Sequence, residues 1–478
     1  MHMMIHQHHV NRLHLMAGAM VVLLSSACSM APTYQKPTLP VSAAYKEAQG
    51  QWVAVDATQV QNIEKWWQLL GSAELNDLIE RATSDNLQIQ TLLARQDSAN
   101  AFVKANEAAY SPQVTIAGGD QQNRQSDSRP LRGATQPPTY QNNFAYLNAT
   151  YELDLFGRIK NSVTSASALS AAAQADLKAV RMVVQANIVS AYCLIQSLDT
   201  QIAVQTSVLN LLKRREHILG SRLQQGFDAP TVGYRSQTVT DAQVLRLSEL
   251  KTRRAQYEHL LATLIGVAPA NFSLPAGDIQ RLKLPEIPPS MPSELLVRRP
   301  DILSAEKKVE AANADIGVAK SAFFPSLVLG AMGGVQNTGN RWLFSAPDRF
   351  WTVGPTLFAT VFDGGRRDAL VDQAVARNQE TIAAYKATVL NSFKEVEDLM
   401  ADLNNLHATT QNVQRSLMAS AKNFQAAQSQ FQVGTSSFLD TIDPAIQKAQ
   451  FELQLIDHKT QMLVQTSALI KALGGYWQ

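Results

Sequence analysis

Three glycines in the first half of the chain return in the second half at one fixed spacing: Gly157 with Gly365, Gly226 with Gly434, and Gly266 with Gly474, each 208 residues apart. A spacing kept at three positions marks an internal duplication, so any local reading has to hold in two places. Between the first two glycines of each copy, residues 159–219 and 366–433 contain neither Gly nor Pro. Each stretch predicts a single long helix, and the second would span ~100 Å at ~1.5 Å per residue. Both carry an apolar residue every seventh position. Leu177, Val184, Ala191 and Leu198 interleave with Ile188, Ile195, Ile202 and Leu209; Ile382, Val389, Val396 and Leu403 interleave with Tyr385, Leu399, Leu406 and Val413. A sustained heptad predicts coiled-coil packing.

Ahead of each long helix the period changes from heptad to alternation. In the first copy a helix from about Ala73 ends near Pro112, and strands are predicted over 113–119 and 144–156. Ala145, Leu147, Ala149, Tyr151, Leu153 and Leu155 fall on one face, with Asn148, Thr150, Glu152 and Asp154 on the other. The second copy repeats this after Pro325, with strands predicted over 326–335 and 350–362, where Trp351, Val353, Leu357, Ala359 and Val361 oppose Thr352, Thr356 and Thr360. Six prolines crowd into 267–293 and mark a linker. The chain thus divides into a segment 28–72 ahead of the first helix, a first repeat 73–266, the linker 267–293 and a second repeat 294–478.

Residues 1–27 read as a signal peptide: Arg12, an apolar run from Leu15 to Leu24, then Ser25, Ser26 and Ala27. Cys28 resembles the lipidated cysteine of bacterial lipoproteins, while Ser25 with Ala27 also suits ordinary signal cleavage. After this segment no window holds ~18 consecutive apolar residues, so no membrane helix is legible by that rule. A formal charge of +2 offers no electrostatic footprint for nucleic acid. The histidines beyond the signal segment, His217, His259, His407 and His458, lack metal-ligand spacing. No nucleophile elbow, complete phosphate loop or cofactor motif appears, so neither an enzyme nor a cofactor is expected. Cys193 reads as a small buried apolar residue and Trp66 and Trp67 as core.

Four strands, each greasy on one face and wet on the other, predict a membrane-barrel wall, since only a closed barrel satisfies every backbone group in lipid. Four strands cannot close, because ~8 is the smallest membrane barrel. Chains must pool their strands. Two chains would give a barrel filled by side chains, whereas three, with roughly twelve strands, leave a lumen. A homotrimeric duct is the simplest reading.

The tract Trp351-Thr-Val-Gly-Pro-Thr-Leu357, running on to Phe362-Asp-Gly-Gly-Arg366, resembles the strand-to-helix signature of TolC-like outer-membrane factors of the OprM lipoprotein branch. Tyr151-Glu-Leu-Asp-Leu-Phe-Gly-Arg158, Arg299-Pro-Asp-Ile302, Trp66-Trp67, the start at Cys28 and the terminal Leu473-Gly-Gly475 are similar to it as well. The resemblance covers nearly the whole mature chain. It implies a mainly α protein with a membrane β-barrel: a lipid-anchored trimer in the outer membrane, continued by an α-helical periplasmic tunnel. It also implies two partners, a periplasmic adaptor (membrane fusion) protein and an inner-membrane pump.

By the same resemblance the tunnel closes where the long helices turn back, at Gly226 and Gly434, which are also the expected adaptor-contact tips. Leu439 and Asp443 match the family's apolar and acidic constriction positions; Asp440, Asp228 and Arg235 are further candidates there. The competing local reading packs Leu439 between helices and leaves Asp440 and Asp443 solvated or capping the returning helix. Trp351, near the loop end of its strand, is the candidate for an interfacial aromatic belt. The rival overall reading is a lipid-anchored periplasmic coiled-coil scaffold without a pore.

Overall fold

The computed structural model describes residues 29–39, 45–48, 65–126, 137–285, 299–338 and 346–475. Cys28, the signal segment and part of the proline-rich linker lie outside the described residues. Helices α1 (Ala73–Asp85) and α2 (Leu87–Glu107) lead into strands β1 (Gln113–Arg124) and β2 (Thr139–Leu153), then the long α3 (Arg158–Gln224) and the returning α4 (Pro230–Leu264). The second copy follows with α5 (Pro300–Ser321), β3 (Ser326–Thr338), β4 (Arg349–Phe358), the long α6 (Arg366–Gln432) and α7 (Ile442–Ala472).

The glycine pairs have a backbone cause. All six have positive φ, from 73° to 103°, a conformation that costs residues with a Cβ roughly 1–2 kcal/mol. Gly226 and Gly434 close their long helices identically: the glycine N–H bonds the carbonyl three residues back, and the next N–H bonds the carbonyl five back (Phe227 to Arg222, Thr435 to Gln430). This is the Schellman arrangement. Gly266 and Gly474 end α4 and α7 with the same pair of bonds.

The first helix and the strand ends depart from the sequence reading. The first helix is not continuous, because Asn86 interrupts it; its Oδ1 accepts the N–H groups of Gln88 and Ile89 and so caps α2. The strands also start and stop elsewhere. β1 and β2 extend five residues further toward their connecting loop than the hydrophobic alternation shows, while β2 stops at Leu153 and β4 at Phe358. Asp154, counted on the wet face of the strand, instead accepts the N–H groups of Ile159 and Lys160 and caps α3. Ala359 and Val361, counted as strand, precede the turn in which Asp363 accepts the N–H groups of Gly365 and Arg367.

The described chain forms two compact units, each assembled from segments of both copies. One holds the described residues within 29–38, 96–173 and 305–385, including the whole sheet. There residues 29–38, outside any helix or strand, are held by side-chain contacts: Ser29 Oγ donates to Asn161 Oδ1 at 2.8 Å, Asn313 Nδ2 to the Pro32 carbonyl at 2.7 Å, and Lys36 pairs with Glu306 at 2.6 Å. Gly317 makes the seat for this segment, since a Cβ there would come within 2.7 Å of the Ala31 backbone nitrogen.

The other unit holds residues 39–95, 174–304 and 386–478. Its core gathers Trp66, Trp67, Leu70, Leu75, Ile79, Ile188, Ile195, Leu261, Val396, Leu403 and Leu463 from both copies. The heptad positions of α3 and α6 are buried or half-buried throughout. One 18-residue window of α3 has a mean hydropathy of 1.2, enough by length and composition to cross a bilayer, yet half of it is buried within the protein. A search for unbroken apolar runs misses that window because its residues are mixed. Cys193 is fully buried, and burial pushes its thiol up to about 12.

Candidate functional site: an open sheet and two helix turns

The four strands form one antiparallel sheet in the order β1-β2-β3-β4, so the central pair joins the first copy to the second. The register lines up side chains in rows. Ile116, Leu147, Gly333 and Trp351 face the same side, as do Val114, Ala149, Ala331 and Val353, and then Leu153, Leu327 and Leu357. Within one chain this apolar face is open: Ile116 is 80% exposed, Trp351 79% and Val353 68%. A soluble sheet buries such a face. The opposite face carries Thr115, Asn148, Met332 and Thr352 in one row and Gln113, Thr150, Gly330 and Gly354 in another. Among the described residues β1 and β4 are each paired on one side only, leaving a row of unpaired backbone donors and acceptors at both edges.

The apolar band has a sharp upper limit. Beyond the row of Gly118, Ala145, Val335 and Arg349 the same face turns polar, and Gln141 Nε2 donates to both carboxylate oxygens of Asp120 at 3.0 and 2.9 Å. Trp351 sits one row inside that limit, at the loop-facing end of β4.

The helix turns share a backbone and differ in chemistry. After Gly226 the chain reaches Ala229, extended at φ −76° and ψ 149°, and α4 begins on Pro230. Asp228 accepts from Nε and Nη2 of Arg222 at 2.8 and 3.2 Å. After Gly434 it reaches Ser437, extended at φ −83° and ψ 160°, which makes a capping box. Asp440 Oδ2 accepts the Ser437 N–H at 2.8 Å, and Ser437 Oγ accepts the Leu439 N–H at 3.0 Å. Phe438 lies under the Arg214 guanidinium, 4.0 Å from its ring centre, and meets Phe431 edge-on at 5.7 Å.

These contacts sort the candidates at the tip. Asp228 and Asp440 are engaged within the chain. Leu439 is half-buried against Val208, Leu212, Ile442 and Ala449, in a short 3-10 turn rather than on α7 itself. Asp443 and Arg235 are exposed, and their charged ends make no hydrogen bond or ion pair among the described residues. Sequence reasoning gave Asp440 a capping role in its local reading, which the capping box bears out, but missed Ser437's half of that box, three residues earlier and a legible capping signature, and the Arg222–Asp228 pair. It also missed the aromatic group on the wet face of the sheet, Phe144, Tyr146 and Phe350.

The family described as outer membrane efflux protein matches residues 78–267 and 291–475. Outer membrane protein OprJ of Pseudomonas aeruginosa is 30% identical over 466 residues, covering 96% of this chain and 95% of that protein. Cation efflux system protein CusC of Escherichia coli (strain K12) is 27% identical over 458 residues, covering 95% and 98%. Among solved structures, the outer-membrane channel OprN superposes with a TM-score of 0.83 at 26% identity, over 94% of this chain and 99% of that one.

Proposed function

The chain belongs to the outer membrane efflux protein family, and from that premise we propose how its geometry performs export. It is the outer-membrane channel of a tripartite efflux system, a homotrimer working with a periplasmic adaptor and an inner-membrane pump. The observation that carries the mechanism is the open sheet. Three copies, joined edge to edge through β1 and β4, pair every free backbone group, turn the apolar rows outward to lipid and leave the polar face around a lumen. A pore-less scaffold would have no use for such a face. The channel acts as a passive duct and not as a catalyst, its cargo set by the pump that feeds it. A purified chain that stays a monodisperse monomer in mild detergent, or a trimer that never conducts in a planar bilayer, would overturn this reading.

Closure belongs to the second-copy turn. Repeated around a threefold axis, Asp443 forms an acidic ring and Leu439 an apolar one; the exposed Asp443 carboxylate, with no partner among the described residues, supports this, while Asp440 and Asp228 are held by their caps and pairs. Gly226 and Gly434 shape the two turns offered to the adaptor. Asp443→Ala should weaken cation selectivity and block by a trivalent cation, and Leu439→Ala should raise the basal conductance. If the double mutant conducts, selects and is blocked as before, the constriction lies elsewhere.

At the membrane, Trp351 anchors the interface, and Cys28 carries the lipid. Ser29, the next residue, is held by Asn161 in the first turn of α3, which starts five residues after β2 ends and so close to the bilayer surface. Cys28→Ser should abolish palmitate labelling yet leave the trimer inserted, since strands hold the bilayer more firmly than one lipidated residue. An unmodified protein that never takes up the label would point to ordinary cleavage after Ala27.

A further inference from the structure

The wet face of the sheet is not uniformly polar. Phe144 and Tyr146, two residues apart on β2, share that face and stack with ring centres 5.7 Å apart at 26°; Phe350 of β4 meets Tyr146 edge-on at 6.3 Å. Small residues flank these rings. Gly119 lies opposite Phe144, and Ala117 and Gly334 lie on either side of Tyr146. A Cβ on Gly119 would come within 2.8 Å of Phe144 Cζ, and one on Gly334 within 2.5 Å of Tyr146 Cβ. The Phe144 ring therefore fills the space above a glycine and lies along the wall, which leaves π surface facing into the lumen.

The position of this group is equally specific. It lies in the rows beside Trp351, at the loop end of the strands, and the helices leave from the other end. With the helices in the periplasm, the rings line the last stretch before the exit. Neighbouring residues on the same face are neutral: Thr115, Asn148, Met332 and Thr352 on one side and Gln336 on the other. Glu152, the acid further down that face of β2, is already held by Arg158 at 2.7 Å. Among the described residues, a cation passing here meets in these rows no fixed charge, only ring faces, which attract cations and repel anions; Asp348, two residues before Phe350, already accepts from Asn337 at 3.4 Å.

We propose that Phe144, Tyr146 and Phe350 form a lumen-wall platform, one per chain, that binds organic cations with aromatic or alkylated heads on their way out of the barrel. The proposal rests on the reading of the wet face as lumen. Because the rings lie along the wall, the platform retains such cargo without narrowing the pore. Aromatic–glycine pairs also stabilise sheets, so the test must read ligand binding and not stability.

Labelled tetraphenylphosphonium serves as the probe, in equilibrium dialysis against the purified trimer with matched detergent on both sides. The intact protein should show saturable binding, and F144L/Y146L/F350L should weaken it about tenfold, the scale of losing cation–ring contacts of ordinary strength. Phe144→Tyr, which keeps a ring, should preserve it, and the conductance of the triple variant to potassium should stay within about twofold, as rings lying along the wall require. Absence of saturable binding, or equal binding by the leucine variant, overturns the platform. If the triple variant does not assemble, Phe350→Leu is read instead, since that ring fills no glycine site; unchanged binding there also overturns it. Trimer mass and bilayer conductance are measured on the same preparations: a conducting trimer without the site removes the platform alone, and an intact chain that neither trimerises nor conducts removes the lumen with it.

Discussion

Both copies of the repeat must hold a helix-end carbonyl just before a conserved-spacing glycine, and they do it with different side chains. In the first copy Asn86, which caps α2, donates Nδ2 to the Leu264 carbonyl at 2.7 Å. In the second copy Arg299, immediately before α5, donates Nη1 to the Ala472 carbonyl at 2.9 Å. Leu264 and Ala472 are 208 residues apart, the glycine spacing, while Asn86 and Arg299 precede their helices by one residue each. Asn finishes its task locally. Arg has a charge to satisfy, and it draws in Asp301 at 2.7 Å and Glu395 at 2.8 Å, with Lys471 also on Glu395 at 2.8 Å. Duplication preserved the backbone requirement and left its chemistry free. The helix turns show the same division: Pro230 begins α4 where a donor N–H is not needed, and Ser437 with Asp440 satisfies donors in the second copy by a capping box.

If the backbone is what the copies share, the glycines should matter more than any side chain, and according to their surroundings. Gly266 is crowded: a Cβ there would collide with the Asp85 backbone oxygen. Gly226 and Gly434 have open space instead, with nothing within 4 Å of an added Cβ. Gly266→Ala should therefore cost more than about 3 kcal/mol, strain and overpacking together, while Gly226→Ala and Gly434→Ala should each cost about 1 kcal/mol. The heat-dissociation midpoint of the trimer reads the difference. Equal losses at Gly266 and Gly226 would break the argument that crowding separates them.

The charged solution in the second copy should be sensitive to acid, and the amide solution in the first should not. Burial alone would raise the Asp301 and Glu395 carboxyls; hydrogen bonding and charge from Arg299 at Asp301, and from Lys471 and then Arg299 at Glu395, outweigh it and hold both below the usual range. Folded-state values below the unfolded ones mean that this stability is complete above the ordinary carboxylate range and is lost as pH falls through the lowered values. Arg299→Met should cost about 2 kcal/mol at neutral pH, less than a fully buried pair would because both carboxylates are partly exposed, and should flatten the acid limb of the stability curve. Asn86→Ala should cost about 1 kcal/mol and leave that limb unchanged. An acid limb that survives Arg299→Met would locate the titration elsewhere.

What could be read from the residues follows the same line. Glycine spacing located the turns, heptads located the long helices, and alternation located the strands and their greasy face, because each is a local consequence of backbone geometry. The strand ends were not legible: alternation reports hydrophobicity, so it falls silent at Gln121–Arg124, where pairing continues above the apolar band. It also overruns at Ala359–Val361, where apolar residues alternate without partners. The tip was legible only in part. The capping role of Asp440 was open to a local reading, but whether Asp443 and Leu439 close a pore depends on two further copies that no local pattern contains. The Phe144–Tyr146–Phe350 group was hidden because aromatic residues on a predicted wet face carry no signal until the glycines opposite them are in register.

The finest distinction between the copies is at the turns, where the expected effects are smallest. Ser437→Ala removes an N-cap and should cost about 1 kcal/mol; Asp440→Ala removes the reciprocal half and should cost somewhat less. Asp228→Ala removes an ion pair whose Arg222 partner is 46% exposed, so screening limits the loss to a few tenths of a kcal/mol. Global unfolding will not resolve these numbers, but amide hydrogen exchange will. Protection should fall over 438–445 in the Ser437 and Asp440 variants and stay unchanged there in Asp228→Ala, whose effect is confined to 226–232. The Schellman bonds of Gly226 and Gly434 are made by backbone alone, so protection of the Phe227 and Thr435 amides should survive all three substitutions. Loss of protection at Thr435 in Ser437→Ala would show that the capping box, and not the glycine, sets the second turn.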